Sequence, residues 1–237
     1  KDIEGMSSDL KKRIKEIEEF SSDVSHELKN PLAGLKSSTD LLNSKTLSIK
    51  NKDILMQNIS DDINRMNILI SDISNYSLTQ VEISEEIFEK TELLNFLNNF
   101  KDSLINKNSS IEIINPNEKI YIKINKNKLM QVLRNLFDNA LTFSPLNSKI
   151  YISIKKIDNF CVINFIDQGT GIPLEYKDKI FERFYTDRVK NRNSHSGLGL
   201  SISKRIIESF GGNINLVKNS NISFKGACFE IKLPLED

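Results

Sequence analysis

The stretch His-Glu-Leu-Lys-Asn-Pro, residues 26–31, decides how the first third of this chain folds. Apolar residues recur around it every three or four positions, which is the spacing of one helix face: Ile14, Ile17, Phe20, Val24, Leu28, Leu35 and Leu42. His26 stands two positions from Val24 and two from Leu28, so a helix turns it away from that face and into solvent. An exposed histidine beside an acid is a candidate nucleophile or general base, although an isolated one is more often an ordinary surface residue.

Composition sets the broad class of the protein. The chain has 237 residues, of which 38% are hydrophobic, enough for one large domain or two ordinary ones. A net charge of +1 gives no electrostatic reason to expect nucleic acid or an anionic membrane as a partner. The two cysteines, Cys161 and Cys228, lie in apolar stretches and are expected to fill cores rather than to form a disulfide.

The sequence contains no recognisable targeting or membrane-spanning segment. No run approaches the roughly 20 apolar residues that a membrane-spanning helix needs, and no signal peptide is visible. The chain begins at Lys1 rather than at a methionine, which indicates a fragment of a longer protein. Membrane attachment is therefore expected only through segments missing from this sequence.

Residues 1–82 are predicted to form a helical hairpin. The first helix runs to about residue 43, and the second carries apolar residues at the same helical spacing: Leu55, Ile59, Ile63, Met66, Ile70 and Ile73. Two antiparallel helices have too little surface to bury both apolar faces. We therefore expect a second copy of the hairpin to complete a dimeric four-helix bundle.

Residues 83–237 mix strands with helices and are predicted to form an α/β sandwich. The layers expected are one mixed sheet with helices on one face. Strands are predicted at 86–90, 111–114, 120–124, 149–157, 160–166, 213–217 and 227–233, and helices at 92–105, 126–143 and 198–210.

Two segments of this second domain carry residues suited to a nucleotide. Asn135 and Asn139 are four apart on the predicted helix 126–143, where their amide oxygens can ligate Mg²⁺ and their N–H groups can meet phosphate. Asp167 follows a strand, where a carboxylate can accept a hydrogen bond from an adenine amino group. Gly169 and Gly171 let the backbone turn and approach a ligand closely. Each segment alone is also compatible with a structural asparagine pair or an ordinary glycine turn.

A third segment opens the predicted helix 198–210. Gly197, Leu198 and Gly199 place backbone N–H groups at a helix start, which favours an anion. The preceding residues 186–196 are polar and basic, include Arg188, and are typical of a mobile lid. No Gly-Lys-Ser/Thr follows either glycine cluster, so neither is a Walker loop.

Taken together, these motifs resemble, across essentially the whole chain, the transmitter core of two-component sensor histidine kinases. Residues 26–32 are similar to the H box of that family, 135–140 to its N box, 167–171 and 197–200 to its two glycine boxes, and 181–184 to its F box. The second domain also resembles the wider ATPase superfamily of gyrase, the ninety-kilodalton chaperone and the mismatch-repair ATPases. Thr142 stands where many relatives have a lysine, and Phe143 where a tyrosine often flanks adenine.

The resemblance implies a protein-histidine kinase with its phosphoacceptor in the first domain. His26 would receive the γ-phosphate of ATP and pass it to an aspartate of a response regulator receiver domain. Glu27 would accept the other ring proton as general base, and Asn30, one turn later, would orient a water for dephosphorylation of that regulator. A homodimer is implied, as the cytoplasmic portion of a bacterial inner-membrane sensor.

For the second domain, the resemblance implies a site for ATP and Mg²⁺. Asn139 would ligate the metal, with Asn135 supporting the metal or the phosphates. Asp167 would recognise adenine beside the Phe143 ring, and Gly169 and Gly171 would let the backbone approach the nucleotide closely. The backbone amides of Gly197, Leu198 and Gly199 would bind phosphate. Arg188 would replace the charge that Thr142 lacks.

Two other classes of protein remain open on the residues alone. One is a related ATPase that uses nucleotide for conformational work and never phosphorylates itself. The other is a dimeric scaffold that binds nucleotide only as a structural or regulatory ligand. The first leaves the exposed His26–Glu27 pair and Asn30 without a role.

Overall fold

The computed structural model describes residues 3–43, 48–82, 87–104, 110–114, 118–186, 196–219 and 226–236. Its α-helices are α1 (Ile3–Leu42), α2 (Ile49–Glu82), α3 (Leu93–Asp102), α4 (Lys126–Phe143) and α5 (Gly199–Ser209). Its strands are β1 (Glu89–Glu92), β2 (Ser110–Ile114), β3 (Tyr121–Ile124), β4 (Lys149–Ile157), β5 (Phe160–Ile166), β6 (Asn213–Val217) and β7 (Cys228–Pro234). Short 3₁₀ helices cover Leu174–Tyr176 and Lys179–Phe181.

The chain divides into two compact units. We call Lys1–Asn75 with Arg183–Leu198 the helical unit, and Tyr76–Glu182 with Gly199–Asp237 the sheet unit. The predicted domain boundary at 82/83 coincides with the end of α2 and stays a prediction for the functional domains. Residues 183–198, which the sequence analysis placed in the second domain, lie in the helical unit.

The two long helices of the helical unit agree with the predicted hairpin. Arg65 on α2 donates a hydrogen bond to Glu27 on α1, 3.1 Å from Nη2 to Oε2. Asp62 packs so closely on Gly34 that a Cβ there would overlap its carboxylate. One hairpin nevertheless leaves large apolar side chains at least 46% exposed, as the limited surface of two helices predicts: Leu10, Ile14, Ile17, Leu32, Leu41, Ile49, Ile54, Met56, Ile63 and Ile70.

Arg183 and Phe184 pack on the Phe20 ring of α1. Phe184 stacks on Phe20, with ring centroids 6.4 Å apart and planes at 18°. The Arg183 guanidinium lies 5.7 Å from the centroid of the same Phe20 ring. Phe184 has φ 59, which is costly for a bulky side chain, so the surrounding contacts must hold this backbone in place.

The sheet unit is built on a five-stranded mixed sheet in the order β2-β4-β5-β7-β6. β2 and β4 are parallel, and the other neighbours are antiparallel, so the predicted mixed sheet is confirmed. The expectation of one single sheet is wrong, because β1 and β3 pair with each other in a separate two-stranded sheet. These strands have four residues each, too few to reveal their partners in the sequence.

Most predicted element boundaries hold in the sheet unit, and the exceptions have local causes. The bounds of α4, β4, β5 and β6 are those predicted. Helix α3 starts after Glu92 because that side chain caps it, accepting hydrogen bonds from the N–H groups of Leu94 and Asn95 at 3.2 and 3.3 Å. The first strand lies at Glu89–Glu92 rather than at 86–90, and residue 86 is outside the described residues.

The core of the sheet unit contains the apolar side of α4, as predicted: Leu129, Val132, Leu133, Leu136 and Ala140 are buried. Both cysteines are free and buried, which confirms their expected packing role. Burial raises the pKa of the Cys161 thiol to about 12 and that of Cys228 to about 11, so neither is a thiolate at neutral pH. Among the described residues, none of the helices combines the length and the apolar character that a bilayer crossing needs.

Candidate functional site

Asp167 stands at the end of β5 with one carboxylate oxygen fixed by the backbone. Its Oδ1 accepts hydrogen bonds from the N–H groups of Gly169 at 2.8 Å and Ala227 at 3.0 Å. The side chain is 6% exposed, and burial raises its pKa against the lowering effect of these two donors. No described residue donates to Oδ2. The fixed carboxyl group therefore keeps one oxygen free to accept a hydrogen bond from a ligand.

Close backbone contacts around Asp167 explain the glycines nearby. A Cβ on Gly169 would lie 2.7 Å from the Phe143 carbonyl oxygen, so any side chain there would push α4 away. A Cβ on Gly226 would overlap the Asp167 carboxylate. Gly226 was not singled out from the sequence, where its only signal is a glycine directly before a predicted strand. Gly171 has a φ of 74°, a backbone angle that residues with a side chain rarely adopt.

Asn135 and Asn139, the two candidate amide ligands, lie on α4 in different environments. Asn135 donates from Nδ2 to the Gly199 carbonyl oxygen at 2.9 Å and to the Ser203 Oγ at 3.2 Å. This contact joins α4 to the first turn of α5, and Ser203 was not singled out from the sequence. Asn139 is half-buried and has no hydrogen-bond partner among the described residues.

The side-chain oxygens of these two amides are suitable ligands for a magnesium ion. No described residue donates to the side-chain oxygen of either Asn135 or Asn139. Mg²⁺ takes oxygen ligands, usually one or two from the protein, together with waters and substrate phosphates. Two free amide oxygens one helical turn apart meet that requirement.

Helix α4 connects the carboxylate part of the site to the amide part. Asn135, Asn139 and Phe143 are spaced by four, so they share one face over about 12 Å of helix. At one end the Phe143 carbonyl meets Gly169 beside Asp167, and at the other Asn135 meets Gly199. The Phe143 ring is 43% exposed. The structure thus brings together a free carboxylate oxygen, an aromatic face and two amide oxygens.

The rest of the second glycine motif lies in the helical unit. Gly197 has φ 80, and a Cβ there would lie 2.6 Å from the backbone carbon of Phe184. The Leu198 N–H donates to the Ser196 Oγ at 3.1 Å, and that hydroxyl donates to Asp72 on α2. The Leu198 N–H is therefore already bonded within the protein. Arg188 lies outside the described residues.

The phosphoacceptor candidate lies on α1. His26 is exposed, as predicted, and Asn30 is exposed one turn later. Glu27 is bonded to Arg65, and no hydrogen bond joins it to His26 among the described residues. Arg65 lies 38 residues from Glu27 along the chain, so nothing in the linear sequence identified it.

Two protein-family models match this chain. The model described as "His Kinase A (phospho-acceptor) domain" matches residues 16–80, which include His26, Glu27 and Asn30. The model described as "Histidine kinase-, DNA gyrase B-, and HSP90-like ATPase" matches residues 124–237, which include α4 and Asp167.

Individual relatives match over nearly the whole chain. Sensor protein ChvG of Rhizobium meliloti is 34% identical over 97% of this chain and 42% of its own length. Sensor histidine kinase WalK of Bacillus subtilis is 29% identical over 97% of this chain and 38% of its own. The chain thus spans about two fifths of the length of these relatives. Histidine kinase ThkA, solved in complex with response regulator protein TrrA, shares the fold with a TM-score of 0.68 at 24% identity, covering 95% of this chain and 64% of that one.

Proposed function

Because this chain belongs to the two-component sensor histidine kinases, we propose that it transfers the γ-phosphate of ATP to His26 and then to an aspartate of a response regulator. One observation carries the proposal. The phosphoacceptor match contains an exposed histidine with a neighbouring carboxylate, and the ATPase match contains a site whose free groups suit a nucleotide.

ATP is assigned to the sheet unit because the Asp167 Oδ2 and the amide oxygens of Asn135 and Asn139 receive no hydrogen bond from a described residue. The Asp167 Oδ2 accepts a hydrogen bond from the adenine amino group, and the exposed Phe143 ring packs against the base. Asn139 and Asn135 would hold Mg²⁺ through their amide oxygens. When bound, Mg²⁺ neutralises the charge of the phosphates, which is the main requirement of phosphoryl transfer.

The transfer step uses His26 in its neutral form. An unprotonated imidazole nitrogen attacks the γ-phosphorus, the bond from that phosphorus to the β-γ bridging oxygen breaks, and ADP leaves. The proton on the other ring nitrogen passes to Glu27, so the phosphorylated imidazole stays neutral. Asn30 then orients the water that hydrolyses the aspartyl phosphate of the regulator.

The partners follow from the surfaces and from the family. The exposed apolar residues of the hairpin, among them Met56, Ile63 and Ile70 at seven-residue spacing, are covered by a second copy in a four-helix bundle. The receiver domain of a response regulator takes the phosphoryl group from His26, as TrrA is the response regulator bound to ThkA. We place the chain on the cytoplasmic side of a membrane sensor, where ATP and receivers are available.

Acid lability separates this function from its alternatives. The full chain is incubated with Mg²⁺ and γ-labelled ATP, then precipitated in acid or in base. A histidine kinase retains label in base and loses it in acid. Acid-stable label contradicts the assignment of histidine, whereas hydrolysis without label indicates a conformational ATPase, and binding without either indicates a scaffold.

A further inference from the structure

We propose that Arg65 is a positioning residue that holds the Glu27 carboxylate in place for proton transfer from His26. The inference rests on the proposed kinase function and adds a residue from α2 to it. Among the described residues no hydrogen bond or ion pair joins Arg65 to His26, so the proposed role acts through Glu27.

The contact itself is unlike an ordinary surface ion pair. Arg65 Nη2 lies 3.1 Å from Glu27 Oε2, and the two side chains are 26% and 16% exposed. Exposed pairs contribute little because solvent screens them and both side chains lose rotamer freedom. A half-buried, charge-assisted hydrogen bond between two helices holds its partners in a more defined geometry.

The charges around Arg65 belong to the same helix face. Asp62, one turn before Arg65, is pressed against Gly34 on α1. Burial raises the Asp62 pKa, and the Arg65 charge works in the opposite direction. Asp61 is engaged by Gln57, which donates to it at 2.9 Å. The positive charge of Arg65 therefore offsets the negative charges of two carboxylates, Glu27 on α1 and Asp62 on α2.

Helix geometry explains why Glu27 needs such a contact. Residues i and i+1 do not face each other on a helix, so a free Glu27 side chain meets His26 in few of its rotamers. Arg65 bonds to Oε2, and no described residue donates to Oε1. The carboxylate is thus held through one oxygen and keeps the other to accept a proton.

A double-mutant cycle tests this role. The full chain, Glu27→Gln, Arg65→Met and the double variant are compared by single-turnover autophosphorylation, followed for hours so that slow rates stay measurable. We expect Arg65→Met to lower kcat about tenfold with KM for ATP unchanged within about twofold, since general-base catalysis depends on positioning. In the Glu27→Gln background the same change should alter kcat by less than about twofold, because the two residues act as one unit.

Controls separate positioning from stability. Arg65→Lys keeps a cation for the single bonded oxygen and should recover more of the rate than Arg65→Met. Lys52→Met removes an exposed cation from the same helix and should leave the kinetics unchanged. Helix content and sedimentation are measured for every variant, and Arg65→Gln replaces Arg65→Met if the latter loses helix.

Three results would overturn the inference: additive losses in the cycle, an unchanged kcat in Arg65→Met, or no rescue by lysine. If the wild-type chain acquires acid-labile label while the cycle is additive, the kinase function stands and only the role of Arg65 fails. If the wild-type chain acquires no label, both fail.

Discussion

The side-chain Nδ2 of Asn135 lies 2.9 Å from the carbonyl oxygen of Gly199, and this bond joins the middle of α4 to the first residue of α5. The two residues are 64 positions apart in the chain. Asn139, one turn further along α4, makes no such bond to a described residue. Two asparagines of one motif thus have different surroundings.

That difference predicts different effects of an alanine substitution at the two positions. Asn135→Ala should lower the free energy of unfolding by about 1–2 kcal/mol, because two hydrogen bonds to α5 are lost. Asn139→Ala should change it by less than about 0.5 kcal/mol, as expected for a side chain without partners, yet remove most of the Mg²⁺-dependent part of ATP affinity. Denaturant unfolding and calorimetry with and without Mg²⁺ measure both. Equal destabilisation by the two variants would contradict the structure.

Asp167→Asn should weaken ATP and ADP alike, since adenine is common to both nucleotides. Calorimetry with each nucleotide measures this effect. The amide oxygen can still accept the two backbone hydrogen bonds at Oδ1, so folding should be preserved. A loss confined to ATP would place Asp167 at the phosphates instead.

The stability of the wild-type chain relative to this variant should depend on pH in a defined direction. Burial raises the Asp167 pKa above its ordinary value of 3.8, so the folded protein binds its proton more tightly than the unfolded chain does. Stability then falls as the pH rises from that value through the raised pKa. Thermal unfolding should therefore show the wild-type chain losing stability relative to Asp167→Asn between acid and neutral pH. A difference that is constant with pH would show that Asp167 is not responsible.

His26→Ala should abolish acid-labile labelling while ATP binding persists, because the nucleotide groups lie in the other unit. His26 is exposed and makes no hydrogen bond within the described part of the chain, so the free energy of unfolding should change by less than about 0.5 kcal/mol. Lys36→Ala, an exposed change further along α1, serves as the matched control and should retain labelling. Label persisting in His26→Ala would disprove the assignment of the phosphoacceptor.

Dimerisation should depend on the exposed apolar face of the hairpin. Ile63 and Ile70 are 46% and 52% exposed and seven residues apart on α2, so a charge at both positions should oppose burial against a second copy. We expect the full chain to sediment as a dimer and Ile63→Asp/Ile70→Asp as a monomer. Ile87→Asp, at an apolar residue that is 76% exposed in the sheet unit, is the control and should stay dimeric. A monomeric wild-type chain would argue against the bundle.

Asn30→Ala should lose dephosphorylation of the receiver while keeping much of its autophosphorylation. Asn30 lies one turn after His26, about 6 Å away along the helix, where an amide can hold a water in line with an aspartyl phosphate. Release of phosphate from a phosphorylated receiver and labelling by ATP are measured side by side. Equal loss of both activities would indicate that Asn30 only supports the backbone conformation that precedes Pro31.

Local patterns in the sequence were sufficient for the regular elements. The alternation of 149–157 and 160–166 around Asp158 predicted β4, β5 and their turn with the observed bounds, and Asp158 has the positive φ that such a turn uses. The apolar face of 126–143 predicted α4 in the same way. In each case the pattern that predicts the element lies within the element's own residues.

Long-range contacts were not predictable from such patterns. The pairing of β1 with β3, the bond between Arg65 and Glu27, and the packing of Gly226 on Asp167 each join residues far apart in sequence. They depend on shape and charge that appear only once the chain has folded. The motif spacing therefore predicted the groups of the candidate nucleotide site, whose roles stay predictions, and the structure adds the contacts that hold Asp167 and Asn135 in position.

The stacking of Phe184 on Phe20 has a consequence for synthesis of the protein. About 100 residues separate the first part of the helical unit, which ends at Asn75, from its second part, which begins at Arg183. At ribosomal rates of about 5–20 residues per second, that interval takes on the order of 5 to 20 s. The hairpin therefore emerges from the ribosome well before Phe184, and in that time the Phe20 ring lacks its stacking contact with Phe184, whose place a chaperone or the hairpin of a neighbouring nascent chain can take.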